Sequence, residues 1–348
     1  MEGHRQVYIV LNLRSDEGQR KSIKAWLQLF RAQTAPATVF LLLMPYLVGA
    51  SFFEAKTLVL AFLLLLIHYF SFGHNSLMDA AMMYDQRDLS KRHHPLVSGK
   101  IKLQAAHNVI HWGLAVLTVF AAAVTVVWAV NVAVAMVCLM AWVSFGHAYN
   151  DGLSKESLFG FLSISLCFTA MGGWGWFLSH RDLNPGGIIY LAYAFLTILY
   201  QTSWSGFIKE MQLRERSNIL VRMGAKLDET FWGKKLLPGK SRFYAYLVKG
   251  SGLVLAGLLC WLNFSLVRLV VLVLLGAAVI WLLYQTTRSR VYDRPKELKW
   301  MSCMEICTIY LVLPLLIDWP AALMLMAFGA IYFFACNKVL WGVSYPKV

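Results

Sequence analysis

The sequence predicts an all-α, polytopic transmembrane bundle of nine to ten spans, on three observations. Of the 348 residues, 59% are hydrophobic and only 14% charged, whereas an ordinary soluble domain carries roughly 25% charge. Mean hydropathy is +0.58. The apolar residues gather in runs close to the roughly 20 residues a helix needs to cross a bilayer, and the basic residues between those runs alternate between crowded and sparse connections. A soluble globular enzyme is excluded by this composition. A disordered chain is excluded by the long apolar runs and the 14% aromatic content.

Residues 1–30 are polar enough to read as a cytoplasmic N-terminal segment. Val7–Leu13 is too short for the apolar core of a signal peptide and is followed by more charge, so the segment is expected to stay on the mature chain. Apolar runs then occupy 35–53, 57–83, 105–127, 129–148, 157–179, 187–208, 243–263, 267–286, 302–317 and 320–340. Pro314, Asp318 and Pro320 interrupt the last two, which read either as two spans or as one broken helix and one full one. A single domain over 31–341 follows, with 342–348 as a tail. The six cysteines all fall inside apolar runs, so neither a disulfide framework nor a zinc pair is indicated; Cys303 and Cys307, one turn apart, read as core packing.

Charge placement orients the bundle. With both termini inside, the connections at 84–104, 209–242 and 287–301 hold most of the 32 Lys and Arg, while Lys56, Arg181 and Arg268 alone fall outside. This asymmetry is the positive-inside pattern. The net +14 therefore reports mainly topology, with anionic lipid headgroups rather than nucleic acid as its partner. The crowded connections are also the long ones, which places the expected chemistry on the cytoplasmic side.

The richest polar stretch is His74–Ile101, HNSLMDAAMMYDQRDLSKRHHPLVSGKI. Asn75 and Asp79 are spaced i,i+4 and share a helix face; Asp85 and Asp88 form an i,i+3 pair. Six residues rotate an ideal helix by about 240°, so Asp79 and Asp85 can face one metal only if the helix ends or bends between them. Carboxylates beside apolar spans are costly unless they are paired or bind cations. Hard oxygen donors favour Mg²⁺, and the downstream Lys91, Arg92, His93 and His94 suit a phosphate group. A diphosphate site and a merely solvated, mutually paired interfacial loop both fit this spacing.

Here the sequence resembles the UbiA superfamily of intramembrane prenyltransferases, whose first signature reads approximately NDxxDxxxD followed by RPLxSGxI. Asn75, Asp79, Pro95, Leu96, Ser98, Gly99 and Ile101 match in order. Ser76 stands for the second-position Asp, Met83 for the last Asp, and His94 for the Arg before Pro, with about two extra residues before HPLVSG, so the resemblance leaves Asp85 or Asp88 to replace the missing carboxylate. Phe30–Ala50 looks like the family's first span and puts Arg31 at its entry; Tyr149–Phe161 is similar to the YSxxLK segment through Tyr149 and Lys155; and Trp204–Gly224 ends NILVRMG where the family has TLxVRLG, without the family's second aspartate set.

The resemblance implies an Mg²⁺-dependent transfer of a prenyl group from a polyprenyl diphosphate to an aromatic or lipid-like acceptor. It implies Asn75, Asp79, Asp85 and Asp88 as first-metal ligands, and Glu210 and then Glu215 at a second metal. Arg31, Lys91, Arg92, Lys155 and Lys209 are implied diphosphate ligands, and Asp79, Tyr149 and Lys155 catalytic groups. His74 and His147, with His107 and His111, are acceptor candidates; Trp174 and Trp204 are the prenyl-binding aromatics, with Phe72, Tyr84 and Trp176 further candidates. A UbiA-like terpene cyclase, a sugar-phosphate transferase and a non-catalytic lipid-binding or transport protein on the same scaffold remain alternatives.

Overall fold

The computed structural model describes residues 23–83, 85, 91–153, 160–213, 218–227 and 234–343, with the backbone alone at 152–153, 206 and 208–213. Among the described residues, twelve α-helices run in chain order: α1 (Ile23–Leu29), α2 (Ala35–Leu47), α3 (Ala55–Ala81), α4 (Leu103–Trp128), α5 (Val132–Ala148), α6 (Gly160–Ser179), α7 (Pro185–Leu213), α8 (Ile219–Arg222), α9 (Gly239–Leu262), α10 (Leu266–Arg288), α11 (Arg294–Leu316) and α12 (Trp319–Trp341). Ten of them occupy the ten apolar runs. Eight are individually long and apolar enough to cross a membrane, and α1 with α2, bent by 54° through the 3₁₀ turn Ala32–Thr34, makes a ninth. The long α7 is not among those eight; polar residues such as Gln201, Thr202 and Ser203 interrupt its apolar run. The chain is an integral membrane protein.

Helix starts follow from short polar caps that satisfy the free first-turn amides. Asn131 accepts from the Val134 amide at 3.2 Å, Ser265 from Arg268 at 3.2 Å, and Asn184 from Gly187 at 2.9 Å just before Pro185. Asp293 accepts from the Lys296 amide at 3.4 Å with Pro295 in the first turn. This last cap moves a boundary: α11 begins at Arg294, so the charged stretch expected as loop through 301 forms its opening turns. Proline belongs in a first helical turn, where its missing N–H is not needed.

The connection expected as loop at 209–242 contains α8 and a two-residue antiparallel pair, Lys226–Leu227 with Lys235–Leu236, so a small hairpin joins an otherwise helical fold. Lys235 is buried there; its ammonium donates to the Thr286 carbonyl at 2.6 Å and to Glu297. Burial lowers its pKa from the usual lysine range, and the Glu297 charge works against that shift.

Apolar side chains on α4, α9 and α10, such as Val119, Val126, Val254, Trp261, Val270 and Leu274, point outward. In water such a surface would drive aggregation; in lipid it is the solvated face. Inside, α6 packs between α2, α5 and α7, around Met171, Trp174, Trp176, Tyr190 and Leu42. Small residues let these backbones approach. A Cβ on Gly175 would lie 2.9 Å from the Leu42 carbonyl oxygen, a backbone atom that cannot swing aside. Gly175→Ala is therefore expected to cost about 1–3 kcal/mol, read as a lower thermal midpoint in detergent; an unchanged midpoint would show that α2 and α6 separate freely.

Candidate functional site

The end of α3 gathers the polar groups. α3 stops at Ala81, and Met83 adopts φ +64°, a left-handed conformation uncommon for a side chain of its size. The helix thus ends between Asp79 and Asp85, the condition under which both could turn to one place. Both are buried, at 6% and 0% exposure. Asp88 and Tyr84 lie outside the described residues. Ser76, in the position of a family aspartate, is committed elsewhere: its hydroxyl donates to the Leu29 carbonyl at 3.3 Å, fastening α3 to the end of α1.

Arg31 sits at the bend between α1 and α2 with φ +50°. Its carbonyl accepts from Thr34 Oγ1 at 2.9 Å and faces His68 Nε2 at 3.3 Å, while its guanidinium lies 5.7 Å over the Phe72 ring. Nη2 donates to Asn75 Oδ1 at 3.4 Å. Asn75 Nδ2 then donates to Asn150 Oδ1 at 3.3 Å, and Asn150 Nδ2 lies 3.1 Å from His74 Nδ1. Asn150 belongs to a π turn, Tyr149–Leu153, through which the chain leaves α5; such turns cluster at functional sites. Tyr149 is half-buried beside it. Lys155 lies outside the described residues.

The connection after α3 folds inward instead of floating in solvent. Lys91, His94 and Ile101 are buried, whereas Arg92 is exposed. Of two adjacent cations that the sequence treats alike, one turns inside. His94, standing where the family has Arg, is 2% exposed, and neither ring nitrogen has a hydrogen-bond partner among the described residues. Its charged neighbours are Lys91, Asp85, Arg31 and Asp79. Burial, then the Lys91 charge, holds its pKa down from the ordinary 6.5 to about 3, with Asp85 and Asp79 pulling the other way and Arg31 reinforcing the drop.

The unfolded chain therefore takes up this proton near 6.5, while the folded protein resists it down to about 3. The stability that depends on neutral His94 is complete above 6.5 and is lost as pH falls from 6.5 towards 3. In Mg²⁺-free buffer the thermal midpoint of the wild type should fall more steeply across that window than that of His94→Gln; equal slopes would assign the acid sensitivity to other groups.

The buried carboxylates of Asp79 and Asp85 and the Asn75 carboxamide, whose Oδ1 accepts from Arg31, offer oxygen donors in the last turns of α3 and just beyond it. Arg31, Lys91 and the unsatisfied His94 ring adjoin them. That set fits a hard divalent cation such as Mg²⁺ accompanied by an anion.

α7 carries Lys209 and Glu210 near its C-terminal end; their side chains, and all of Glu215, lie outside the described residues. The following segment is anchored by Asn218, whose Nδ2 donates to the Ser203 carbonyl at 2.7 Å and whose Oδ1 accepts from the Leu220 amide at 2.8 Å. Gly224, at φ +92°, closes the NILVRMG run in a turn.

The aromatic candidates are placed unequally. Trp174 is fully buried in the core and its indole N–H donates to Thr125 Oγ1 at 2.7 Å; Trp176 donates to the Asp182 carbonyl at 3.0 Å. Trp204 stacks on Tyr200, centroids 5.6 Å apart, with its N–H unpaired among the described residues. His74 is buried and His147 exposed, their rings 5.2 Å apart, and the His107 and His111 rings stack at 4.1 Å. Asn150 stands where the YSxxLK segment has Ser; Asp151 carries no signal in that resemblance, and its i,i+4 step from His147 is the one pattern that marks it.

A membrane-embedded helical bundle that buries carboxylates and cations together at one end defines a class of intramembrane enzyme scaffold. The family model described as the UbiA prenyltransferase family matches residues 34–309, and the chain belongs to that family. No curated protein matches the sequence. Among solved structures, a UbiA homologue from Aeropyrum pernix K1 in its apo form is 12% identical, with TM-score 0.60 over 84% of this chain and 96% of that one. A UbiA homologue from Archaeoglobus fulgidus, bound to GPP and Mg²⁺, is 15% identical, with TM-score 0.58 over 87% of this chain and 99% of that one. A structure described as digeranylgeranylglyceryl phosphate synthase is 15% identical, with TM-score 0.53 over 90% and 98%. These likenesses concern the fold.

Proposed function

We propose that this protein is an Mg²⁺-dependent intramembrane prenyltransferase that moves a prenyl group from a polyprenyl diphosphate to an aromatic or lipid-like acceptor and releases diphosphate. The observation that carries the reading is the joint burial of Asp79, Asp85, Lys91 and His94 beside the Arg31–Asn75 contact, in a chain of this family. Carboxylates and cations gathered in one buried cluster at the end of a membrane bundle suit a metal ion and an anionic group bound together.

Asn75, Asp79 and Asp85 would hold the ion, with Asp88 adding to the set and Glu210 and then Glu215 serving a second ion. When bound, Mg²⁺ supplies positive charge to the departing diphosphate. The chain's own cations do the rest of the electrostatic work: Arg31 and Lys91, with Arg92, Lys155 and Lys209 on the loops, bind and orient the diphosphate. Phe72 under Arg31 lines the approach, and the apolar spans exclude water from the carbon that loses its oxygen. Tyr149, on the π turn, would orient donor or acceptor. The crowded basic connections put this end, and both termini, on the cytoplasmic side.

The test is product analysis. Detergent-purified protein with Mg²⁺ and a panel of polyprenyl diphosphates should release diphosphate and, with an acceptor supplied, yield a prenylated product by mass spectrometry. A cyclic hydrocarbon formed without acceptor would replace the transferase by a cyclase; no release from any prenyl donor would overturn both.

A further inference from the structure

Three helices bring nitrogen ligands together beside the oxygen-rich set, and we propose that His74, His147 and Asp151 form a separate site for a borderline transition ion of the Zn²⁺ class. His74 Nε2 lies 3.6 Å from Asp151 Oδ1, His147 Nδ1 lies 3.6 Å from Asp151 Oδ2, and the three ligand atoms all fall within 4.8 Å of one another. A tetrahedral ion with metal–ligand distances of about 2.0–2.1 Å has ligand–ligand edges of about 3.4 Å, so small side-chain rotations close the site. His74 is 2% exposed, and its Nε2, which faces the cluster, has no hydrogen-bond partner among the described residues. A buried imidazole nitrogen left in that state is costly, and an ion would satisfy it.

A fourth donor is at hand. His111, on α4, donates its Nδ1–H to the His107 carbonyl at 2.9 Å, which leaves its Nε2 lone pair available; its ring centroid lies 5.2 Å from that of His74. A backbone carbonyl fixing the distal N–H is the usual support of a metal-binding histidine. Two or three imidazoles with one carboxylate suit Zn²⁺ and its transition-metal neighbours and do not suit Mg²⁺, which prefers oxygen throughout. The ion would tie α3 to the end of α5.

Ligation through Nε2 puts the His74 proton on Nδ1, so Asn150 turns its amide by about 180° to accept that proton through Oδ1. Asn150 then presents Nδ2 to Asn75, which turns in the same sense to accept it and so loses the hydrogen bond its Oδ1 takes from Arg31 Nη2. Ion occupancy at the histidine site would therefore be felt at the oxygen-rich set without any shared ligand.

The proposal is tested with tag-free protein in detergent, stripped with chelator and titrated with Co²⁺ alone. One equivalent should bind with the visible absorption of a tetrahedral centre, Zn²⁺ should displace it, and Mg²⁺ should not. His147→Ala and Asp151→Asn, both at exposed positions that leave the core intact, should each weaken Co²⁺ binding at least tenfold and abolish the rise in thermal midpoint that Zn²⁺ gives the wild type. Absence of stoichiometric Co²⁺ binding to the wild type, or wild-type affinity in both variants, would overturn the site. No prenyl substrate enters this measurement, so its failure is distinct from failure of the transferase reading.

Discussion

Asp79→Asn lowers diphosphate release by about 10²–10³-fold, the loss typical when one preorganised electrostatic partner of a developing charge is removed. The residue is buried beside His94, Lys91 and Arg31, so the substitution removes a negative charge from a set already rich in cations while keeping side-chain volume. An Mg²⁺ titration separates binding from chemistry. If Asp79 ligates the ion, half-saturation shifts to higher Mg²⁺ and excess Mg²⁺ restores part of the rate. Thermal melting of the same preparation checks that the fold is retained, and unchanged release at limiting Mg²⁺ would remove Asp79 from the metal site.

Glu305→Ala is expected to give the largest loss of stability, about 3–5 kcal/mol, because it strands a buried ammonium. Lys249 on α9 donates to Glu305 Oε1 at 2.8 Å and to Thr308 Oγ1 at 3.1 Å, and lies 4.5 Å over the Tyr200 ring. Both charged residues are buried between α9 and α11. The pair offsets its own desolvation, and removing one partner leaves the other with the full cost. The double variant Lys249→Met/Glu305→Leu, which removes both charges and keeps the volume, should recover most of the loss. Chemical denaturation of the two variants and the wild type in one detergent decides this; a double variant no more stable than Glu305→Ala would show that the pair specifies the packing rather than merely compensating itself.

Span positions and the i,i+4 pair Asn75–Asp79 were legible in the sequence because each is a one-dimensional pattern. Hydropathy marks a run, and helical spacing marks a face. Even the end of α3 between Asp79 and Asp85 could be argued from geometry, though Met83 as the left-handed residue that makes the turn could not.

What the chain determined by itself was therefore an all-α membrane bundle of nine to ten spans whose polar and charged residues gather in the connections between them. Tertiary structure alone decided which of those residues face inward. Lys91 and Arg92 are adjacent cations with the same local signal, yet the fold buries one and exposes the other. Trp174 and Trp204 carry the same signal in sequence, yet Thr125 on another helix takes the N–H of the first while that of the second is unpaired among the described residues. His74, His111, His147 and Asp151 are scattered over 78 positions of sequence and meet because α3, α4 and α5 pack side by side. Convergence of that kind depends on helix rotation and approach, which are set by the sum of many contacts and leave no mark in any single stretch of sequence.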